Sequence, residues 1–261
     1  MSTAIDWCVV GNGPELSSVL PRADYTIGFN QLLRPPFNVI VHNHKEKGLA
    51  KTIGVQSDES DKHLLSHLVE TASVLETELG CWPSLGLTVI TTGVKLQLKL
   101  SVHRMDLLPS LARSTDLKPN MPLAASFHNW LAERRYAFNL LAELDWPQLD
   151  VVSVSEPDLS VNDKSNCLRE LIGLPSLNKI QARVCINWLC DLPFTIWIEA
   201  VRSANTADII ACDALFILSR TCCYTDNWWL YDVDYSFKMD QIRTRLAHAQ
   251  AYCYSTKVFL C

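Results

Sequence analysis

The chain has 261 residues, with 23 Lys and Arg against 28 Asp and Glu, a formal charge of −5. That balance argues against a nucleic-acid partner, which requires a basic face to displace counterions from phosphates. At 48% hydrophobic and 20% charged residues, with 9 Gly and 12 Pro, the composition excludes disordered, collagen-like and coiled-coil chains, and the length allows one large domain or one domain with a smaller appendage.

In chain order, residues 7–11 form an apolar run ending in the turn Gly11-Asn12-Gly13-Pro14, and residues 15–20 suit a short helix. Residues 25–29 and 38–42 are two further β-rich runs, ending at Asn30 and Asn43. Three predicted strands thus stop at an asparagine, and in an open α/β sheet the carboxyl ends of the strands form the ligand crevice. Apolar residues at 64, 65, 68, 72, 75 and 79 predict a helix over 63–79. Pro83 opens a second helix, 85–98, before a strand over 100–105 that ends at Asp106. Residues 107–122 are polar and bounded by prolines, and predict a mobile loop over the site. A helix over 127–144 and a last strand over 150–154 follow, then a polar linker over 155–164.

The remainder is rich in Trp, Cys and Ile, with helical spacing over 177–189, 194–204 and 237–252. The pattern predicts a Rossmann-like α/β domain over 1–155, a mostly parallel sheet flanked by helices, and a helical C-terminal appendage over 156–261. Eight of the ten cysteines lie in that tail. Without a secretory leader before the first strand or a CxxC pair, they are expected to be cytosolic thiols rather than disulfides or zinc ligands. The longest apolar stretches are short or broken by charges and Pro193, so no transmembrane segment is expected.

Glycines in Gly11-Asn12-Gly13 let the backbone turn tightly and approach a phosphate or ribose, and a following helix N-terminus favours an anion. The third glycine of a dinucleotide fingerprint is missing. His42 and His44 flank Asn43 without a carboxylate or cysteine to complete a metal set, and Asp232-x-Asp234 reads as a solvated turn, so no metal site is expected. Arg134 and Arg135 read as solvated charges ahead of a role on the donor's carboxylate and phosphate. Trp228 and Trp229, with Tyr224, Tyr231 and Tyr235, suit core or dimer packing better than a sugar platform.

With Gly28-Phe29-Asn30-Gln31 and Pro83-Ser84-Leu85-Gly86 added, the turn makes residues 5–155 resemble the sialyltransferases, the bacterial enzymes of glycosyltransferase family 42 and the related family 29. The resemblance implies that Gly11, Asn12, Gly13, Asn30, Asn43, Ser84, Gly86 and Asp106 hold the cytidine monophosphate part of a CMP-sugar donor. It makes His128, in Ser126-Phe127-His128-Asn129-Trp130, the base that takes a proton from a glycan hydroxyl. The implied activity is metal-independent, inverting transfer of a sialic acid-like sugar, with no cofactor, in the cytoplasm or peripheral to a membrane, and with a homo-oligomer through the tail left open. Glu15 after the proline, Leu85 before the glycine and Met105 before Asp106 depart from the family pattern. Glu15 and Leu85 favour one alternative, a nucleotide-binding pseudoenzyme or assembly protein without turnover; a second is a protein like the motility accessory factors and pterin pyrophosphokinases, acting on a different phosphorylated substrate.

Overall fold

A computed structural model describes residues 5–13, 20–43, 53–57, 62–118, 121–149, 167–218 and 227–258. The helix expected over 15–20, apart from residue 20, the strand over 150–154, the linker over 155–164, Glu15, His44 and Tyr224 lie outside the described residues. Contacts divide the chain into two compact units, residues 1–107 with 136–150, and residues 108–135 with 151–261. This differs from the single boundary expected at 155.

The first unit is α/β. Strands β1 (Asp6–Val10), β2 (Tyr25–Phe29), β3 (Val39–Asn43), β4 (Ile53–Ser57) and β5 (Lys99–His103) form a mixed sheet in the order β4-β3-β2-β1-β5. Pairings β1/β2, β1/β5 and β2/β3 are parallel, and β3/β4 is antiparallel. Residues Trp7 to Val10 of β1, an inner strand, are all buried, as expected of a strand covered on both faces. Helix α1 (Lys62–Leu79) buries Leu64, Leu68, Ala72, Leu75 and Leu79, a 3.6-residue stripe. Helix α2 (Leu85–Lys95) is buried continuously from Leu85 to Gly93, so it packs on more than one side. It stops three residues short of expectation because Gln97 turns into the left-handed region at φ 55°.

Beyond β5, Asp145 pairs in parallel with Ser101, and its carbonyl accepts the Val102 N–H at 2.8 Å. The Trp146 indole N–H donates to the Met105 carbonyl at 2.7 Å. The chain lays β2, β3 and β4 on one side of β1 and β5 on the other, so the strand order reverses at β1/β5. That reversal is where a crevice opens at the carboxyl ends of an α/β sheet.

The described residues of the second unit form helices and connecting turns. Helix α3 (Trp130–Phe138), which the division between units cuts after Arg135, precedes α4 (Cys167–Gly173), α5 (Lys179–Asp191), α6 (Phe194–Ser203), α7 (Thr206–Asp213) and α8 (Val233–Val258). Leu171, Ile186, Leu189, Trp197, Trp229, Met239, Ile242 and Leu246 share one apolar core, which Leu111 and Leu131 enter. The segment expected as a mobile lid is therefore pinned. Leu111 N–H donates to Asp240 Oδ1 at 2.9 Å, and Arg113 N–H to Ser236 Oγ at 3.0 Å, both on α8.

Helices α5 and α6 together are long and apolar enough to cross a membrane, but they meet at 103° and bury Ile186, Leu189, Trp197 and Ile198 in that core. No single helix among the described residues is long and apolar enough to cross one. Cys167 and Cys212 also lie in the core, where burial pushes both thiols up to about 12 and makes them packing groups at neutral pH.

Candidate functional site

The carboxyl ends of β1, β2, β3 and β5 gather eight of the nine residues expected at the site, or the segments that carry them. At the end of β1, Gly11 N–H donates to His103 O at 2.8 Å and Gly13 N–H to Arg104 O at 3.1 Å. The Arg104 guanidinium returns two bonds to Gly13 O, from Nε at 3.0 Å and Nη2 at 2.7 Å. A Cβ at position 13 would lie 2.6 Å from Arg104 O, and one at position 11 closer still. The glycines are thus required by the approach of β5's backbone. Their N–H groups are bonded to His103 at the end of β5 and to Arg104 just after it.

The asparagines form a row along the neighbouring strand ends. Asn12, exposed after β1, donates from Nδ2 to the last carbonyl of β2, Phe29 O, at 3.4 Å. Asn30, exposed after β2, donates its N–H to Val41 O at 3.1 Å and accepts the Asn43 N–H on its Oδ1 at 3.2 Å. Its φ of 53° is a left-handed conformation that asparagine tolerates better than most side chains. Asn43 is half-buried, and its Oδ1 is a buried acceptor with no hydrogen-bond partner among the described residues. Two carboxamides are spent on joining the strands, and the third presents an unsatisfied acceptor of the kind a ligand donor would meet.

Ser84 is the N-cap of α2, its Oγ accepting the Leu87 N–H at 3.2 Å. This explains its burial and commits one of its lone pairs to the helix. Gly86, in the first turn of α2, packs on Met105, whose Sδ and Cε would lie 2.7 Å from a Cβ there. Asp106 follows on the surface between Met105 and Leu107. Arg104 and Leu107 both hold positive φ, 56° and 54°, so the chain leaving β5 stores backbone strain beside the glycine turn.

His128 belongs to the second unit, not the first. Its side chain is 21% exposed, its ring centroid lies 5.1 Å from that of Trp130, and its Nδ1 lies 3.9 Å from Glu133 Oε1. Glu133 is fully buried. Asn129 anchors the segment, accepting the Ala132 N–H at 3.0 Å and donating to Asp213 Oδ2 at 3.2 Å.

Arg135 pairs with both Asp213 oxygens, at 3.0 and 2.5 Å, and Arg134 is 5% exposed, so neither arginine is the solvated charge expected. No match to this chain was found among protein-family models, curated proteins or solved structures.

Arg104 and Glu133 were missed by sequence reading. An arginine just past a strand end and a glutamate five residues after a histidine carry no spacing signature of their own. Trp229 packs in the core with its indole N–H on Leu215 O at 2.9 Å. Trp228 packs edge-on against it at 5.8 Å and beneath Lys179 Nζ at 4.6 Å, an arrangement nearer to core packing than to an open sugar platform. Among the described residues no three His, Cys, Asp or Glu side chains are grouped to hold a metal ion.

Proposed function

We propose that the first unit is a Rossmann-like nucleotide-binding domain and that the chain is an inverting, metal-independent glycosyltransferase. It would transfer a sialic acid-like sugar from a CMP-sugar to a glycan hydroxyl in the cytoplasm, with the C-terminal helices as its appendage. The observation that carries this reading is the row Asn12, Asn30 and Asn43 across the ends of β1, β2 and β3, starting at the strand-order reversal, with Asn43 Oδ1 buried and unsatisfied among the described residues. A cytosine amino group or a ribose hydroxyl is the kind of donor that acceptor would pair with.

His128 accepts the acceptor hydroxyl's proton as that oxygen attacks the anomeric carbon, and cytidine monophosphate departs. The departing phosphate is weakly basic and needs hydrogen bonds more than a Lewis acid.

Thermal shift with cytidine, adenosine and guanosine monophosphates tests the binding half of the reading. A shift specific to cytidine that Asn30→Ala and Ser84→Ala both weaken supports it, and equal response to all three overturns it. Transfer or hydrolysis of a CMP-sugar tests the other half, with His128→Ala expected to abolish transfer while sparing nucleotide binding.

A second reading, a nucleotide-binding protein without turnover, is favoured by the commitment of the Gly11 and Gly13 N–H groups to β5. Cytidine binding without donor consumption would select it.

A further inference from the structure

We infer that Glu133 is the positioning residue for His128, holding its imidazole as the tautomer protonated on Nδ1 so that Nε2 carries the lone pair that accepts a proton. The inference rests on the base role proposed for His128, but the pair is defined by geometry within the second unit alone.

Glu133 is an acidic side chain with 0% exposure in the first turn of α3, and leaving a carboxylate there is costly unless positive charge or donors face it. Its Oε1 faces His128 Nδ1 at 3.9 Å, within ion-pair range. That separation is longer than a hydrogen bond, and catalytic hydrogen bonds often start long and tighten only when substrate binds. On its other side the imidazole meets the Trp130 ring, tilted 57° beside it, while the backbone N–H of His128 reaches Ala125 O at 3.5 Å and the Trp130 indole N–H donates to the same carbonyl at 2.7 Å.

The frame beneath the pair is cross-linked by hydrogen bonds. Glu133 N–H donates to Asn129 O at 2.8 Å, and Asn129 and Arg135 both bond to Asp213, buried at the end of α7. A carboxylate on Nδ1 fixes which nitrogen carries the proton and stabilises the imidazolium formed when Nε2 takes one from a hydroxyl. No atom is left over in that step: the hydroxyl proton moves to Nε2, and the charge it creates on the ring faces the Glu133 carboxylate.

Nitrogen NMR of the protein labelled at histidine reads the tautomer of His128 directly, without substrate. The signal is assigned by its loss in His128→Ala. Neutral His128 protonated on Nδ1 supports the inference, and protonation on Nε2 overturns it. Glu133→Gln, which keeps size and removes charge, is expected to lower kcat by about 10²-fold at unchanged donor KM. An unchanged kcat in a folded Glu133→Gln protein also overturns it. If Glu133→Gln does not fold, the wild-type tautomer alone decides. A chain that holds the Nδ1 tautomer but consumes no CMP-sugar refutes the transferase reading and leaves the pair standing. Turnover with the Nε2 tautomer does the reverse.

Discussion

Gly13 shows how a residue chosen in the sequence for one reason is held in the structure by another. The turn attracts notice as a phosphate cradle, yet its glycines are demanded by the β5 backbone, which comes within 2.6 Å of where a Gly13 Cβ would be. Gly13→Ala must push Arg104 O away and weaken the bond the same residue makes to it, so a loss of about 1–3 kcal/mol is expected in urea unfolding. Asn12, Asn30 and Asn43 were legible because asparagine at a strand end is an uncommon repeat. The bond from Asn43 N–H to Asn30 was not, because it depends on the lateral order of strands.

The buried thiols make a second residue-level prediction. Cys167 and Cys212 are pushed from about 9 to about 12, chiefly by burial, so the unfolded chain releases these protons first. Their contribution to stability is fully present below about pH 9 and falls as pH rises toward 12. Each thiol adds a slope approaching about −1.4 kcal/mol per pH unit within that window. Denaturation midpoints of the wild type and of Cys167→Ala and Cys212→Ala, measured from pH 7 to 10.5, check the sign; each variant should flatten the alkaline limb.

Helices and strands with a dense apolar signal were found close to their expected places, among them β1, β2, β3, β5 and α1. Strand β4 was missed because Ile-Gly-Val-Gln-Ser is a short edge strand whose last three residues are not buried. Its antiparallel pairing with β3 is a sheet-level fact that no local period encodes. Helix α3 was expected over 127–144 and spans Trp130–Phe138. Asn129 begins it by capping Ala132, and i to i−3 bonds from Asn139 and Leu140 close it.

The anchor of α3 is testable as an element. Asp213 is 3% exposed and takes bonds from both Asn129 and Arg135, so Asp213→Ala leaves a partly buried guanidinium and a carboxamide donor without this partner. The expected loss is about 2–3 kcal/mol, less than for a fully buried pair because Arg135 keeps 27% of its side chain in water. A double-mutant cycle of Asp213→Ala with Arg135→Ala should show coupling of about 1 kcal/mol or more. Additive effects would mean that the pair does not hold the helix.

For the whole molecule, residues 108–135 group with the C-terminal helices rather than with the sheet that precedes them. Leu111 and Leu131 fill the helical core, and the backbone of 111–113 is bonded to α8. A fragment ending at residue 155 leaves those groups uncovered. It is expected to bind a hydrophobic dye and to lack the sharp, cooperative unfolding of the full chain; a fragment that unfolds cooperatively and leaves the dye dark would restore the boundary at 155.

By itself the sequence determined an α/β first part and the strand-end asparagines, because alternating apolar runs, helical periods and asparagine stops are local properties of a chain. Tertiary structure alone decided that the glycine turn is stapled to β5, that the supposed lid is pinned to α8 and that His128 faces a buried glutamate. Each depends on which distant segment supplies a carbonyl, a carboxylate or an apolar wall, and a linear pattern does not carry that information.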